Sequence, residues 1–196
     1  ELWSSAEQQQ NYLPGVPEGS DLCITPVSSP ENHYVRIKAD NRLEADGTLR
    51  GTFSLTAEGQ SDSNIRRIFT TGFQSEWKST MERQLLTISP KARLLSVDYG
   101  KNPKDYQAAP IKITFRYEIP DYALKGEGEM FFRPMVMNNL YNQVRSYLRI
   151  DTSVENRKYG FKDGCSRLVE LDEMIQLPAG YKLVNAAKNE MMQGVG

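Results

Sequence analysis

The residues best suited to covalent chemistry in this sequence are two thiols and one imidazole, Cys23, Cys165 and His33. A cysteine-nucleophile mechanism needs a thiolate, an imidazole that activates it, and an acid or amide that orients the imidazole. Cys23 and His33 stand ten residues apart, with Pro26 and Pro30 between them. No family signature surrounds either cysteine. We therefore predict no catalytic residue and interpret His33 as the first residue of a strand.

The supply of metal ligands is equally small. A closed structural zinc site takes about four Cys or His ligands, whereas the chain has 2 Cys and 1 His. Asp40, Asn41, Asp46 and Asp62 offer oxygen ligands, but not at the spacing of a calcium-binding EF-hand loop. A carboxylate cage assembled from separate loops stays open as an alternative. We predict no metal and no cofactor.

Two acidic patterns also deserve comparison with known motifs. Residues 126–129 alternate glycine and glutamate, but they lack the Lys-Ser/Thr ending of a phosphate-binding loop. Glu170 and Asp172 project from one face of a predicted strand about 7 Å apart, as a pair of hydrolytic carboxylates could. Alternation on a solvent-facing strand produces such pairs routinely. We therefore favour a solvated surface for both patterns.

Aromatic side chains are the remaining candidates for contact with a ligand. The chain has 10 Tyr and 2 Trp, and exposed aromatic groups often mark interaction sites. Tyr106, Tyr122 and Tyr141 fall in predicted loops and are the candidates for a carbohydrate site. Trp3 and Tyr12 are candidates for contact with a neighbouring domain. Most of the other rings are expected in the core or at sheet edges.

Charge and hydropathy exclude several classes of partner. Lys and Arg number 24 against 25 Asp and Glu, a net charge of -1, so no surplus positive charge exists to neutralise nucleic acid or an anionic membrane. No apolar run reaches the roughly 20 residues of a membrane-spanning helix, and no signal-peptide pattern opens the sequence. For Cys23 and Cys165, two buried thiols are favoured over a bridge, which stays possible.

The N-terminal half of the chain predicts a lead-in followed by a β-hairpin. Residues 1–32 are rich in Pro and Gly, which fix turns and remove hydrogen-bond donors, so little regular structure is expected there. Val35 and Ile37 then alternate with charged residues, the period of a strand with one buried face. Asp46 and Gly47 predict a tight turn into a second alternating strand.

Beyond the hairpin the apolar period lengthens to that of an α-helix. Residues 61–63 offer side chains for the N-cap of a first helix. A second helix is predicted from apolar residues four positions apart, Phe73, Trp77, Met81 and Leu85. Both helices are expected to bury their apolar stripe on the sheet rather than hold a cofactor.

Strand patterns return at residues 94–99, 111–119 and 128–133, and again from 169 to 177. The whole pattern predicts a mainly β, α+β fold. We expect an antiparallel β-sandwich-like domain over 33–149 with an inserted pair of amphipathic helices. A second, partial β unit is expected over 150–196.

Turn and packing residues stand in several short segments, at 12–19, 43–51, 157–161 and 177–183, and Arg66 and Arg67 stand in the predicted first helix. They resemble bacterial proteins in which a domain of unknown function precedes a transglutaminase-like core that is followed by a C-terminal β module. The likeness lies with that C-terminal module. Its matching positions are not catalytic in the family, so no catalytic residue is carried over.

The resemblance implies a location and a role. The chain is expected to be a piece of a longer protein that is exported, periplasmic or facing the cell surface, in a Gram-negative bacterium. Its expected role is that of a non-catalytic accessory domain. Its expected partner is a neighbouring domain of the same polypeptide, with a bound glycan or peptide as the alternative. The alternative is a carbohydrate- or peptidoglycan-binding β-sandwich module.

Overall fold

The alternating segments of the sequence build one central sheet. In this computed structural model the described residues are 7–108, 110–136, 158, 166–185, 188–191 and 193. Their strands are Asn11–Tyr12 (β1), Cys23–Ile24 (β2), Tyr34–Leu43 (β3), Leu49–Ala57 (β4), Arg93–Asp98 (β5), Ile111–Ile119 (β6), Leu124–Lys125 (β7), Met130–Phe131 (β8) and Leu168–Gln176 (β9). Their helices are Gly59–Thr70 (α1) and Trp77–Leu86 (α2), with short 3-10 turns at Pro30–Asn32 and Gln74–Glu76.

The main sheet has the strand order β5-β6-β4-β3-β9. The predicted hairpin is confirmed, since β3 and β4 pair antiparallel from Val35 opposite Ala57 to Leu43 opposite Leu49. Gly47 turns the chain between them with a φ of 89°, a left-handed conformation that glycine adopts without steric cost. Two further ribbons, β1 with β2 and β7 with β8, lie outside this sheet.

The helices cover one face of the main sheet and close the core. Phe69 of α1 and Trp77 of α2 meet edge to face with ring centroids 5.2 Å apart, and Tyr99 joins them at 5.7 and 5.4 Å. Met81 and Leu85 are buried with them. Each such side chain contributes about 1.5–3 kcal/mol on burial, so the apolar stripes of the helices belong to the core, as predicted.

The helix boundaries differ from the prediction. The expected N-cap at residues 61–63 is wrong, because α1 begins at Gly59 and Ser61 is buried, donating its hydroxyl to the backbone oxygen of His33 at 3.4 Å. Phe73 is not part of α2 and is 77% exposed. The 3-10 turn at Gln74–Glu76 rotates the chain before α2 begins, so the spacing of four does not extend back to Phe73.

The strand predicted in the second β unit completes the first sheet. β9 lies parallel to β3, with pairs running from Tyr34 opposite Leu168 to Arg42 opposite Gln176. The mainly β, α+β class is confirmed, and the sheet is mixed rather than wholly antiparallel. The sandwich-like prediction places a second sheet against the first. In the described part of the chain, the layer that packs on the main sheet consists of the two helices instead. The division of the chain at residue 150 otherwise stays a prediction.

Candidate interaction surface

A buried polar cluster around His33 attaches the lead-in to the main sheet. His33 immediately precedes β3, and its Nδ1 accepts a hydrogen bond from the backbone N–H of Gln60 at 3.1 Å. Its Nε2 lies 3.1 Å from the side-chain nitrogen of Gln8, whose Oε1 accepts from the backbone N–H of Ser28 at 3.0 Å. His33 and Gln8 are almost fully buried. The cluster therefore joins both arms of the lead-in to the start of β3 and α1.

The surroundings of His33 keep its ring neutral and tightly placed. Burial first, and then the positive charge of Arg167, lower the pKa of His33 below its ordinary value of 6.5. Gly59 stands against the ring with a φ of 61°, and a Cβ there would lie 2.4 Å from Nδ1. Since Nδ1 already accepts from Gln60, the imidazole holds the local structure together.

The structure does not bring Cys23 and His33 together. Cys23 lies in β2, opposite Tyr12, with its Sγ 3.7 Å from the backbone oxygen of Asp21. It is half-buried rather than buried as predicted, and Cys165 lies outside the described residues. Within the described ranges, no group of three His, Cys, Asp or Glu side chains is placed to hold a metal ion.

The lead-in forms a short, hydrogen-bonded ribbon. Asn11 pairs with Ile24 and Tyr12 with Cys23 across β1 and β2. Thr25 extends the ribbon, because it donates its N–H to the backbone oxygen of Gln10 at 2.9 Å and accepts from Gln9 at 3.1 Å. Its hydroxyl also accepts from the N–H of Gln10 at 2.8 Å. These bonds fix the backbone of the ribbon even though regular structure is sparse there.

Large apolar side chains of this ribbon project into solvent. We call the following set the lead-in patch: Tyr12, Leu13, Val16, Leu22, Ile24 and Val27. Leu22 is 71% exposed and Ile24 66% exposed. Continuation of the β1–β2 register places Leu13 opposite Leu22, on the face that also carries Ile24. Tyr12, opposite Cys23, lies on the other face of the ribbon. Exposed apolar side chains gathered on one face, as Leu13, Leu22 and Ile24 are, are typical of interaction sites.

A second, smaller apolar pair lies on the β7–β8 ribbon. Leu124 is directly opposite Phe131, and both side chains are exposed. This ribbon follows the end of β6, whereas the lead-in joins the start of β3. Because the end of β6 pairs with Leu49, which lies opposite Leu43 at the end of β3, the two apolar surfaces lie at opposite ends of the sheet.

The predicted aromatic candidates do not form one platform. Tyr106 is exposed, and the guanidinium of Arg66 lies 5.8 Å from its ring centroid. Tyr122 is half-buried, donates its hydroxyl to the backbone oxygen of Arg133, and has a pKa raised chiefly by burial. β6 separates them and is about 27 Å long at ~3.4 Å per residue. Trp3 and Tyr141 lie outside the described residues.

Arg66 is a structural residue rather than part of an exposed basic surface. It is 2% exposed, and its Nε donates to Asp62 at 2.6 Å. Its guanidinium also donates to the backbone oxygens of Asp105 at 2.8 Å and Pro103 at 3.1 Å. Arg66 thereby ties α1 to the loop that precedes β6.

A second buried polar chain was not predicted from the sequence. Tyr117 donates its hydroxyl to Asn41, and Asn41 donates its side-chain N–H to Glu173 at 2.7 Å. The carboxylate of Glu173 also accepts from the backbone N–H groups of Met135 at 3.1 Å and Val136 at 2.9 Å. Burial, followed by the charge of Glu173, raises the pKa of Tyr117, so its hydroxyl stays protonated and donates.

The sequence does contain a signal for this chain. Asn41 interrupts the apolar face of β3 between Ala39 and Leu43, and Glu173 interrupts that of β9 between Leu171 and Ile175. A polar residue at a core-facing position must find a partner, because an unpaired buried polar group costs about 1–3 kcal/mol. The two interruptions meet because β9 lies beside β3.

Compared with protein-family profiles, with characterised proteins and with solved structures, the chain has no significant match. The resemblance to the C-terminal module of transglutaminase-like proteins therefore stays a prediction from the residues that carry it. Within the described ranges, no helix has the length and apolar character needed to cross a membrane.

Proposed function

We propose that this chain is a non-catalytic interaction module that packs through its lead-in patch on a neighbouring domain of the same polypeptide. The neighbour that fits the resemblance is a transglutaminase-like core in an exported, periplasmic bacterial protein. One observation carries the proposal: the apolar side chains of the lead-in are exposed while its backbone is fastened to the main sheet by the buried cluster at His33 and Gln8. A surface that is both apolar and rigidly presented suits a permanent partner.

Burial of the lead-in patch by a partner domain is favoured in free energy over its exposure to solvent. Covering the side chains of Leu22 and Ile24 alone would contribute about 3–6 kcal/mol, at roughly 1.5–3 kcal/mol for each fully buried aliphatic residue. Interfaces between domains of one chain commonly cover about 600–1,500 Å². Leu13, Leu22 and Ile24, which share one face of the ribbon, are suited to form the apolar centre of such an interface.

The test uses the longer polypeptide in which this chain occurs. Leu22→Glu and Ile24→Glu each place a charge in the proposed interface, so we expect separate unfolding transitions for the two domains and faster proteolysis between them. Ile68→Glu is the matched control, because Ile68 is an exposed aliphatic residue on α1 and is not part of the lead-in. Calorimetry and limited proteolysis of the three variants and the wild type give the comparison.

Two results would overturn the proposal. One is a natural reading frame that encodes no further folded domain beside this chain. The other is identical unfolding of the Leu22→Glu, Ile24→Glu and Ile68→Glu proteins and the wild type. The isolated chain should keep its own stability in all variants, because each substituted side chain is already exposed.

The alternative, a carbohydrate- or peptidoglycan-binding module, requires aromatic rings gathered on one concave surface. The positions of Tyr106 and Tyr122 at opposite ends of β6 give it no support. A glycan array is its direct measurement. A saturable hit that is lost on Tyr106→Ala would favour the alternative over an interdomain role.

A further inference from the structure

The open face of the main sheet, on the side away from the helices, carries a shallow groove of about 380 Å³. It lies where β3 ends and β4 begins. The side chains that matter for its chemistry are Arg42, Arg50, Thr52, Leu95, Arg116 and Met174. They come from all five strands of the sheet, so the groove crosses the strands rather than following one of them.

Positive charge is concentrated in this groove. Arg42 lies directly opposite Arg50 in the β3–β4 pairing, and like charges in such cross-strand positions destabilise a sheet. Arg116 stands on β6 opposite Thr52, one row further along. The whole chain has a net charge of -1, so this concentration is local rather than a consequence of a basic composition.

The neighbouring carboxylates compensate only part of that charge. Asp40 lines the groove itself. Arg42 lies 3.4 Å from Glu44, and Arg50 lies 3.4 Å from Glu118. Glu118 is shared, because Arg93 also contacts it at 3.1 Å. Arg116 has no ion-pair partner in the described part of the chain. The groove therefore holds cationic groups that remain available to an anionic ligand.

Apolar side chains border the groove at its two ends. A shift of register between Leu94 and Ser96 on β5 leaves Leu95 exposed on the rim of the groove. Met174 is exposed on β9, at the other edge of the sheet. Four strand spacings separate β5 from β9, or about 19 Å at ~4.8 Å each, which is the length of roughly six extended residues.

We infer that this groove binds an extended acidic peptide segment of about six residues, through the guanidinium groups of Arg42, Arg50 and Arg116 with apolar contacts at Met174 and Leu95. The planar guanidinium matches a carboxylate with two parallel hydrogen bonds. Carboxylates spaced along a peptide suit the groove better than a polyphosphate, because Asp40, Glu44 and Glu118 lie in or beside it and repel dense negative charge.

This site is independent of the lead-in patch. Arg42 and the His33 cluster lie at opposite ends of β3, about 31 Å apart at ~3.4 Å per residue. Failure of peptide binding would leave the interdomain proposal intact, and failure of interdomain packing would leave the groove intact.

The probe is a blocked hexapeptide, Leu-Glu-Glu-Glu-Glu-Leu, titrated into the whole chain by calorimetry at low ionic strength, with Leu-Gln-Gln-Gln-Gln-Leu as the comparator. We expect saturable binding of the acidic peptide alone. Arg116→Gln should weaken it about tenfold, the effect of losing a charge-assisted hydrogen bond. Arg67→Gln is the charge-matched control on α1 and should bind as the wild type does.

Thermal melting checks that both variants are folded, and Arg50→Gln provides a second groove variant. Three results overturn the inference: no saturable binding of the acidic peptide, equal binding of the glutamine peptide, or equal weakening by Arg116→Gln and Arg67→Gln. Equal weakening would mean that the peptide responds to overall charge rather than to the groove.

Discussion

Replacing Glu173 by Gln tests how the last strand is fastened to the rest of the sheet. The carboxylate accepts three hydrogen bonds, from the side chain of Asn41 and from the backbone N–H groups of Met135 and Val136. Glu173→Gln keeps the size of the side chain but replaces one accepting oxygen with a donating NH₂ group. Whichever way the amide turns, it places a donor against a donor.

The cost follows from the two orientations of the glutamine. If its oxygen accepts from Asn41 and Met135, the N–H of the fully buried Val136 loses its acceptor. In the reverse orientation two hydrogen bonds are lost instead of one, those from Asn41 and Met135. A hydrogen bond to a charged group contributes about 1.5–3 kcal/mol, and an unsatisfied buried donor costs a further ~1–3 kcal/mol. We expect the free energy of unfolding to fall by about 3 kcal/mol.

Urea unfolding followed by circular dichroism measures this loss, with Glu170→Gln as the control. Glu170 lies on the same strand but on the solvent-exposed face, where it pairs with Arg36. An exposed ion pair contributes about 0–1 kcal/mol, so the control should change stability by less than ~1 kcal/mol. Equal effects of the two substitutions, or a Glu173→Gln change below ~1 kcal/mol, would refute the interpretation that Glu173 anchors β9.

The remaining predictions concern other buried polar groups. Arg66→Ala removes the tie between α1 and the loop before β6 and should cost about 3 kcal/mol, whereas exposed Arg67→Ala should stay within ~0.5 kcal/mol in the same urea assay. Tyr117→Phe should cost about 1–2 kcal/mol, because the side-chain oxygen of Asn41 loses its hydrogen-bond donor. Tyr99→Phe should be neutral or stabilising in thermal melts, since the Tyr99 hydroxyl is buried with no hydrogen-bond partner in the described ranges. Because the pKa of His33 is lowered in the folded chain, His33 takes up a proton near pH 6.5 only when the chain is unfolded. The contribution of neutral His33 to stability is therefore full above pH 6.5 and is lost as the pH falls below that value. Urea titrations at about pH 7.5 and 5.5 should show a smaller pH dependence for His33→Gln than for the wild type.

The strands that pair with a sequence neighbour were predictable. Side chains that alternate from Val35 to Leu43 and a turn at Gly47 are local signals, and they place β3 beside β4 without knowledge of the rest of the chain. The pairing of β9 with β3 joins residues more than 130 positions apart. A parallel pair needs a long crossover, and no local pattern specifies which strand it reaches.

The same distinction applies to the functional surfaces. Tyr12 is exposed, and its role as an interaction residue stays a prediction. His33 was predicted as the first residue of a strand, whereas β3 begins one residue later, at Tyr34. Its contact with Gln8 was not predicted, because that contact depends on how the lead-in folds back. The groove at Arg42, Arg50 and Arg116 was missed, because its cations come from strands that are brought together only by sheet order.

By itself the sequence determined the long alternating strands, the approximate positions of the two helices, which of their faces are apolar, and that few groups suited to covalent or metal chemistry exist, because periodicity and residue type are local properties. Only the tertiary structure decided which polar interruptions meet, which side chains stay exposed, and where positive charge accumulates. Those outcomes depend on contacts between distant segments, and each is fixed by the burial of a shared core that no single segment can form alone.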